Sequence, residues 1–291
     1  MEKCLAFIGG SGLYDLDFLE NSRLLDLNSL WGNPSNKIIE GYIGKQKVLF
    51  LSRHGEGHKF SPTSINYQAN IECLKQCGAT DIISLSAVGS LKESLKPGTF
   101  VIVDQFIDRT TFRKKSFFSE GIIAHVPMAN PTSIELMNAS KNILDNLNIK
   151  NVLGGTYLAM EGPQFSTMAE SNIYRTWNCD VIGMTNMPEA KLSREAEIRY
   201  CSISMVTDYD CWHKDHESVS LEMVLKTMEN NTLKSKNFIK EFSNYYTNID
   251  FSNDKTYNIL DTSIVTKREN WDKDTENKLN NILKRYKQKN S

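Results

Sequence analysis

The sequence predicts an α/β fold, in which a central mixed β-sheet is flanked by helices in a single domain and a helical extension follows at the C-terminus. Short runs rich in Ile, Val and Phe recur along the chain, helical patterns separate several of them, and the last part of the chain changes in composition. With 291 residues and 40% hydrophobic content, the chain is long enough to bury one sizeable core.

The candidate strands are short apolar runs, each of which ends in glycine, a small hydroxyl residue or a charge. They lie at residues 4–8, 47–51, 81–85, 99–103, 155–160, 180–184 and 199–207. Helices are predicted between several of them, at residues 64–77, 132–147, 168–177 and 188–197. Such alternation is typical of a sheet that is covered by helices on both faces.

The C-terminal part of the chain is rich in Asn, Lys and Glu and poor in glycine. Residues 217–246 have apolar positions on one broad face of a helix, and residues 270–287 predict a second helix. We therefore divide the chain into a main domain, residues 1–247, and a polar extension, residues 248–291, which packs on the domain or at a subunit interface.

Charge and composition argue against several classes of protein. The chain has 34 basic and 35 acidic residues, a balance that provides no field to attract nucleic acid or an anionic membrane. No apolar run approaches the roughly 18 residues of a membrane helix, and the first run is too short for a secretory signal, so we expect a cytoplasmic protein. The six cysteines lack Cys-x-x-Cys spacing, which favours reduced thiols over disulfides or zinc, and we expect no metal.

The residues that end each apolar run are candidates for a site, because ligands in open α/β sheets bind beyond the carboxyl ends of strands. The first run ends at Gly9-Gly10-Ser11-Gly12, where glycine backbone can approach an anion and Ser11 adds a hydroxyl. The second ends at Arg53 and His54, a permanent cation beside an imidazole, which suit an oxyanion. An ordinary strand-to-loop turn explains either motif by itself.

Two further strand ends offer hydroxyl groups without charge. Ser86 and Ala87 follow the third run, whereas Met184 and Thr185 end the sixth. The two hydroxyls can donate to an anion and Met184 can pack against a sugar, although a polar turn and a core methionine are the alternatives.

The last apolar run enters Asp208-Tyr209-Asp210. In an extended segment, residues two apart point the same way, so both carboxylates are expected to face one pocket. Two close carboxylates disfavour joint ionisation, and such a pair can donate to a ring nitrogen and accept from an exocyclic amine. A solvated acidic loop or a divalent-cation site is the alternative. Phe165 can stack on a flat base, or can serve as a core anchor before a helix.

An anion site and a carboxylate pair together suit phosphorolysis of a glycosidic bond, in which phosphate itself is the nucleophile. Over residues 4–225 the chain resembles the trimeric purine nucleoside phosphorylase superfamily and, more closely, its 5'-methylthioadenosine phosphorylases. The motifs that carry the resemblance are Ile8 to Leu13, Arg53-His54-Gly55, Asp104 to Thr110, Glu161 to Ser166, Ala169-Glu170-Ser171 and Val206 to Trp212. The resemblance implies a phosphorylase/hydrolase-like domain.

The resemblance also implies roles for matching residues. It makes Ser11, Arg53, His54, Ser86, Ala87 and Thr185 contacts of the phosphate. It makes Phe165, Met184, Asp208, Tyr209 and Asp210 contacts of the nucleoside. Asp208 and His54 are then the expected catalytic residues, with Asp208 as the partner of N7 and the proton donor. Inorganic phosphate is a co-substrate, and no cofactor is expected.

The base and the 5' substituent are the finer questions. Relatives that cleave 6-oxopurine nucleosides typically carry Asn and Glu at the positions of Asp208 and Ser166, so the residues present here favour adenine. In the family the 5'-methylthio group meets apolar residues after the aspartate pair and groups of a neighbouring subunit, which places Leu221 and His125 near it. The resemblance thus implies a homotrimer that cleaves 5'-methylthioadenosine, in purine and methionine salvage.

Three alternatives stay open at this point. A phosphorylase of adenosine or 6-oxopurine nucleosides would use the same fold with another substrate. A nucleosidase would use water in place of phosphate, but the presence of Ser11, Arg53 and His54 argues against it. A non-catalytic protein would bind adenine nucleosides without turnover, and the full complement of site residues argues against that.

Overall fold

The computed structural model describes residues 3–10, 12–13, 16–213 and 221–289. In these residues eleven strands form one mixed sheet, and the predicted α/β class is confirmed. The strands are β1 (Leu5–Gly9), β2 (Glu20–Leu25), β3 (Ile38–Ile43), β4 (Gln46–Ser52), β5 (Asp81–Ser90), β6 (Phe100–Val103), β7 (Gln105–Asp108), β8 (Asn151–Leu153), β9 (Thr156–Ala159), β10 (Val181–Gly183) and β11 (Arg199–Asp208). The α-helices are α1 (Tyr67–Gln76), α2 (Ile134–Asn146), α3 (Met168–Thr176), α4 (Asn186–Glu195), α5 (Leu221–Tyr245), α6 (Lys273–Lys278) and α7 (Lys284–Lys289).

Strand β5 is the centre of the sheet. It lies between β1 and β11, and both run parallel to it. Beyond β1 the sheet continues with parallel β4 and then antiparallel β3 and β2. Beyond β11 come β6 and β8, whereas the last residues of β5 pair with β10, which leads to β9 and β7. The carboxyl ends of β1, β4, β5 and β11 therefore lie at the same end of the sheet.

The central strands are buried on both faces, which explains why they read as continuous apolar runs and not as alternating ones. In β1, Ala6 and Ile8 belong to the cluster that contains α1 and α4 side chains, such as Ile71 and Leu192. Leu5 and Phe7 belong to the cluster that contains side chains of α2 and α5. Helices thus cover both faces of the sheet, as predicted.

The C-terminal extension packs on the main domain. Leu260, Leu279, Ile282 and Leu283 are buried in the same cluster as α1 and α4. Arg285 joins Glu197 and Asp261 at 2.6 and 2.7 Å. The single helix predicted over residues 270–287 is wrong, because two short helices, α6 and α7, flank a turn that inserts the leucines into the core. In the described part of the chain, no helix is both long and apolar enough to cross a membrane.

Candidate active site

A cavity of about 760 Å³ opens at the carboxyl ends of the central strands. The residues predicted from the sequence that line it are Arg53, His54, Ser86, Ala87, Phe165, Met184, Thr185, Asp208 and Asp210. They come from strand ends and turns that are far apart in the sequence. The structure therefore brings the predicted anion site and the predicted carboxylate pair into one space.

Ser11 and the side chain of Leu221 lie outside the described residues, and three described residues of the prediction, Ser166, His125 and Tyr209, are not among the lining. Ser166 is buried beside the cavity, where its hydroxyl faces the Met160 sulfur at 3.7 Å. His125 is exposed away from the cavity of its own chain, on a segment whose backbone bonds to Ser263.

Tyr209 is not among the residues that line the cavity, and the prediction that it contacts the nucleoside stays a prediction. Its ring stacks on His213, with 4.6 Å between ring centroids, and meets Trp212 edge-on. It is buried in a separate small cluster with Leu91 and Tyr174. Tyr209 follows Asp208, the last residue of β11, and its ring turns to these aromatic side chains.

Arg53 lies at the anion end of the cavity and is completely buried. Its Nε and Nη2 donate to the two carboxylate oxygens of Glu189 at 2.8 and 3.1 Å. Nη2 also donates to Ser84 Oγ at 2.6 Å, and Nη1 donates to the Leu85 carbonyl at 3.2 Å. Burial by itself would lower the pKa of Arg53, but the Glu189 carboxylate outweighs it and the pKa is raised, so the cation persists.

Gly10 brings the backbone against this guanidinium. A β-carbon at Gly10 would lie 2.9 Å from Arg53 Nη1 and 2.9 Å from the Leu85 carbonyl oxygen. Only glycine permits so close an approach. The Gly10 backbone therefore lies against the guanidinium, while its own N–H donates to the Leu85 carbonyl at 3.0 Å, and the anion contact of the glycine motif stays a prediction.

His54 presents an acceptor, and not a donor, to the cavity. Its Nδ1 donates to the Phe60 carbonyl at 2.9 Å, because a carbonyl can only accept. Its ring stacks on His58, with 4.1 Å between ring centroids, and burial lowers the pKa of His54 to about 4. Nε2 of the neutral ring then carries a lone pair, which can accept a hydrogen bond from a protonated oxygen of phosphate.

Ser86 and Thr185 lie on segments that buried polar groups hold in place. Ser86 Oγ donates to Asn186 Oδ1 at 3.2 Å, and Asn186 Nδ2 donates in turn to Ser202. The Thr185 backbone N–H donates to the Tyr157 hydroxyl at 3.2 Å. These bonds hold two walls of the anion end in a defined relation to the sheet.

Asp208 and Asp210 lie at the other end of the cavity, and a β-bulge aims them there. Val206 pairs with Val88 but Asp208 pairs with the next residue, Gly89, so Thr207 is an extra residue in β11. Asp208 accepts from Thr207 Oγ1 at 2.6 Å and from the Asp210 backbone N–H at 2.8 Å. Asp210 has a positive φ of 53°, which no simple alternation along an extended strand predicts.

The carboxylate pair retains protons at unusually high pH. Burial raises the pKa of Asp208. Burial, followed by the neighbouring Asp208 charge, raises the pKa of Asp210 to about 6. Asp210 Oδ2 is buried without a hydrogen-bond partner among the described residues, although the Ser166 and Ser171 hydroxyls lie close enough to the carboxyl to lower its pKa, so this oxygen retains capacity to accept from a ligand. The pair can therefore share one proton near neutral pH, accepting at one position and donating at another.

Several residues of the site escaped the sequence analysis. Glu189 stands in the first turn of α4, where an acidic residue is explained equally well by the helix dipole. Arg113 donates to the carbonyls of Met184 and Glu161 at 2.5 and 2.7 Å and so ties two walls together. Leu225 and Met228 of α5 also line the cavity. The sequence predicted only that apolar residues of this segment share one face of a helix.

The chain is similar to proteins of known family over most of its length. The sequence profile described as Phosphorylase superfamily matches residues 5–244. The S-methyl-5'-thioadenosine phosphorylase of Rhodospirillum rubrum is 56% identical over 236 residues, which cover 81% of this chain and 80% of that protein. The protein of the same name from Bradyrhizobium diazoefficiens is 47% identical over 285 residues, 97% of each chain. The crystal structure of a methylthioadenosine phosphorylase from an Antarctic soil metagenomic library superposes with a TM-score of 0.91 at 41% identity, covering 96% of this chain and 98% of that chain.

Proposed function

The chain belongs to the phosphorylase superfamily, and we propose that it is a pentosyltransferase that cleaves 5'-methylthioadenosine with inorganic phosphate to adenine and 5-methylthioribose 1-phosphate. The observation that carries the proposal is a cavity with a buried cation at one end and, at the other, a pair of close carboxylates whose pKa values burial raises. Phosphorolysis requires both ends, because phosphate attacks the sugar from one side while the base leaves on the other.

The phosphate is the nucleophile in this reaction, so no catalytic serine or cysteine is required. Arg53, His54, Ser86 and Thr185 hold it beside the sugar, with the Ala87 backbone completing the contact. The remaining N–H of the Arg53 guanidinium donates to one oxygen of the anion, and His54 Nε2 accepts from a protonated one. Fixed in this way, the phosphate meets C1' as the glycosidic bond opens and positive charge develops on the sugar.

The base leaves with help from the carboxylate pair. Asp208 donates to N7, and Asp210 Oδ2 accepts from the exocyclic amine of adenine. A 6-oxopurine would present an oxygen to that carboxylate, and the two acceptors would repel each other. Phe165 and Met184 pack against the base and the sugar. The geometry thus supports an adenine nucleoside over inosine or guanosine.

The 5' end of the nucleoside meets apolar side chains. Leu225 and Met228 line the cavity, and a methylthio group buries apolar surface against them where the hydroxyl of adenosine would not. This contact supports 5'-methylthioadenosine as the preferred substrate. The products, adenine and a methylthio sugar phosphate, place the reaction in purine and methionine salvage, which we propose to take place in the cytoplasm.

The proposal includes a homotrimer. Four large apolar side chains in and beside α3 are exposed, namely Phe165, Met168, Ile173 and Trp177. Phe165 also lines the cavity, so a second copy that covers this surface would border the site. Sedimentation velocity on the purified chain tests the proposal: a species of three chains is expected, and a monomer at micromolar concentration contradicts it.

One assay tests the activity. The purified chain is incubated with 5'-methylthioadenosine, adenosine, inosine or guanosine, each with and without phosphate, and the released base is identified by chromatography. Adenine is expected only when phosphate is present, and most rapidly from 5'-methylthioadenosine. Base release without phosphate would show a nucleosidase, comparable turnover of inosine would show a 6-oxopurine phosphorylase, and binding without turnover would show a non-catalytic protein.

A further inference from the structure

We infer that Glu189 is a positioning residue for the use of phosphate, because its buried carboxylate holds Arg53 in the orientation that presents one edge of the guanidinium to the cavity. This inference rests on the proposed function, since it assigns Glu189 a part in phosphate use. Glu189 does not line the cavity, so any effect that it has on the reaction must pass through another side chain.

The Glu189 carboxylate is itself held by several elements of the fold. Besides the two bonds from Arg53, Oε1 accepts from Ser84 Oγ at 2.6 Å and from the Tyr200 hydroxyl at 2.8 Å. Ser84 belongs to β5, Tyr200 to β11 and Glu189 to α4, and each is almost completely buried. Burial raises the pKa of Tyr200 well above its ordinary value, so its hydroxyl remains a donor. A carboxylate with donors on several elements cannot move unless the sheet moves.

The contacts of Arg53 leave one position for an anion. A guanidinium carries five N–H groups in a planar fork. In the described part of the chain, Glu189 and Ser84 occupy the Nε and Nη2 edge, and the Leu85 carbonyl takes one hydrogen of Nη1. No acceptor among the described residues meets the other hydrogen of Nη1, and Gly10, which lines the cavity, has no side chain to fill the space beside this nitrogen. Glu189 thus determines which edge of the fork faces the cavity.

The negative charge of Glu189 opposes phosphate binding, whereas its hydrogen bonds to Arg53 favour it. The two possible roles of Glu189, counter-charge and positioning residue, can therefore be distinguished by experiment. A carboxylate beside the anion site reduces the net positive charge there and, by charge alone, weakens the attraction for phosphate. If Glu189 acts only as a counter-charge, its neutralisation strengthens phosphate binding. If it positions Arg53, its neutralisation weakens phosphate use, because the bidentate fork is lost.

The test is the Glu189→Gln variant, assayed with 5'-methylthioadenosine and phosphate, each varied in turn. The amide keeps the volume of the side chain but replaces one acceptor with an N–H that opposes the guanidinium. We expect KM for phosphate to rise about 10-fold, as for a lost hydrogen bond to a charged group, while KM for 5'-methylthioadenosine changes by less than about 2-fold. Tyr200→Phe removes a single donor to Glu189, and we expect a phosphate-specific rise of about 2-fold to 4-fold.

The chain offers a matched control in a second buried cluster. Asp81 accepts from Arg199 at 2.6 and 2.8 Å and from the Tyr246 hydroxyl at 2.5 Å, away from the cavity. Asp81→Asn and Tyr246→Phe make the same chemical changes there and should lower Tm while leaving both KM values near those of the unaltered chain. The matching Phe variants also supply the comparison if a carboxylate variant does not fold.

Three results would overturn the inference while the unaltered chain remains active: an unchanged KM for phosphate in folded Glu189→Gln, an equal rise of both KM values, or a lower KM for phosphate. The last would identify Glu189 as a counter-charge. Absence of phosphate-dependent adenine release by the unaltered chain is a different result, because it would overturn the proposed function and the inference with it.

Discussion

Two buried clusters of the same composition lie along β5, and each contains an arginine, a carboxylate and a tyrosine. One joins Arg53 to Glu189, with 2.8 Å between Nε and Oε2. The other joins Arg199 to Asp81, with 2.6 Å between Nε and Oδ1. The first borders the cavity and leaves part of its guanidinium for an anion, whereas in the second the Arg199 guanidinium lies 3.7 Å from the centre of the Phe251 ring. The same types of side chain therefore border the cavity at one place and pack against an aromatic ring at the other.

The position of each cluster along the strand decides the difference. Asp81 and Arg199 are the first residues of β5 and β11, where the chain after α5 crosses the sheet and supplies Tyr246 and Phe251. Arg53 follows the last residue of β4, at the end of the sheet where ligands bind. A buried ion pair adds little net stability, but removal of one partner costs about 3–5 kcal/mol. Mutation of either cluster is therefore expected to destabilise the fold, and only the effect on activity should distinguish the two clusters.

Replacement of the two arginines is expected to give the largest difference in activity between the two clusters. Arg53→Met is expected to lower kcat/KM for phosphate by about 10³-fold, because a preorganised cation at the anion is lost. Arg199→Met should lower Tm by a similar amount as Arg53→Met, since each leaves a buried carboxylate unpaired, but should leave kcat/KM within about 3-fold. Steady-state kinetics and thermal unfolding of both variants are the measurements. Equal losses of activity would refute the distinction between the clusters.

Asp208→Asn should separate the phosphate cluster from the carboxylate pair at the other end of the cavity. We expect kcat for 5'-methylthioadenosine to fall about 10²-fold or more, because the variant loses the proton donor to the leaving base. KM for phosphate should stay within about 2-fold, since Asp208 makes no contact with Arg53 or Glu189. A matching loss of phosphate binding would contradict the assignment of the two ends.

Asp210 differs from Glu189 and Asp81, because its buried carboxylate forms no ion pair with a cation among the described residues. Its pKa in the folded chain is about 6, above the ordinary 3.8, so the folded state binds the proton more tightly. The stabilising contribution of the protonated group is present below about pH 4 and is lost as pH rises to about 6, which leaves a cost of ionisation at neutral pH.

Asp210→Asn should remove that cost. We expect its free energy of unfolding at pH 7.5 to exceed that of the unaltered chain by about 1–3 kcal/mol, and the difference to vanish near pH 4. Turnover of 5'-methylthioadenosine should fall at the same time. Urea unfolding at the two pH values, with kinetics at pH 7.5, tests both statements. A variant that is less stable at pH 7.5 would show that the ionised carboxylate is well compensated.

Leu225→Ala should have the smallest effect on kcat/KM, and Leu225 belongs to neither arginine cluster. Loss of apolar contact at the 5' end is expected to lower kcat/KM for 5'-methylthioadenosine about 3-fold to 10-fold and to leave adenosine nearly unchanged. Parallel assays of the two nucleosides measure the ratio. An equal effect on both would place the methylthio group elsewhere in the cavity.

Most of the fold could be predicted because the central strands are continuous apolar runs. The predicted run at residues 199–207 differs from β11, Arg199–Asp208, by a single residue. β2 was missed because its side chains are largely exposed and polar, so that it is recognisable only by its pairing with β3. The prediction of one helix over residues 270–287 was wrong for a related reason, since a polar helical pattern does not show which leucines pack into the core.

The candidate site was predicted in its ligand-facing residues and missed in the residues behind them. Arg53, Asp208 and Asp210 are recognisable because they follow apolar runs, at the end of the strands where ligands bind in open α/β sheets. Glu189 is not, because an acidic residue in the first turn of a helix has an ordinary explanation. The Tyr209 ring stacks on His213, a contact that the motif by itself does not reveal.

By itself, the sequence determined the fold class and the strand ends that supply polar residues to the cavity, because these are local patterns of polarity, whereas the preference for adenine follows from the resemblance to known phosphorylases. Only the tertiary structure decided which arginine borders the cavity, which carboxylate oxygen is buried without a hydrogen-bond partner among the described residues and where the β-bulge at Thr207 aims Asp208. Residues 53 and 189 meet across 136 positions of chain. The packing of β4, β5 and α4 sets that distance, and no spacing in the sequence records it.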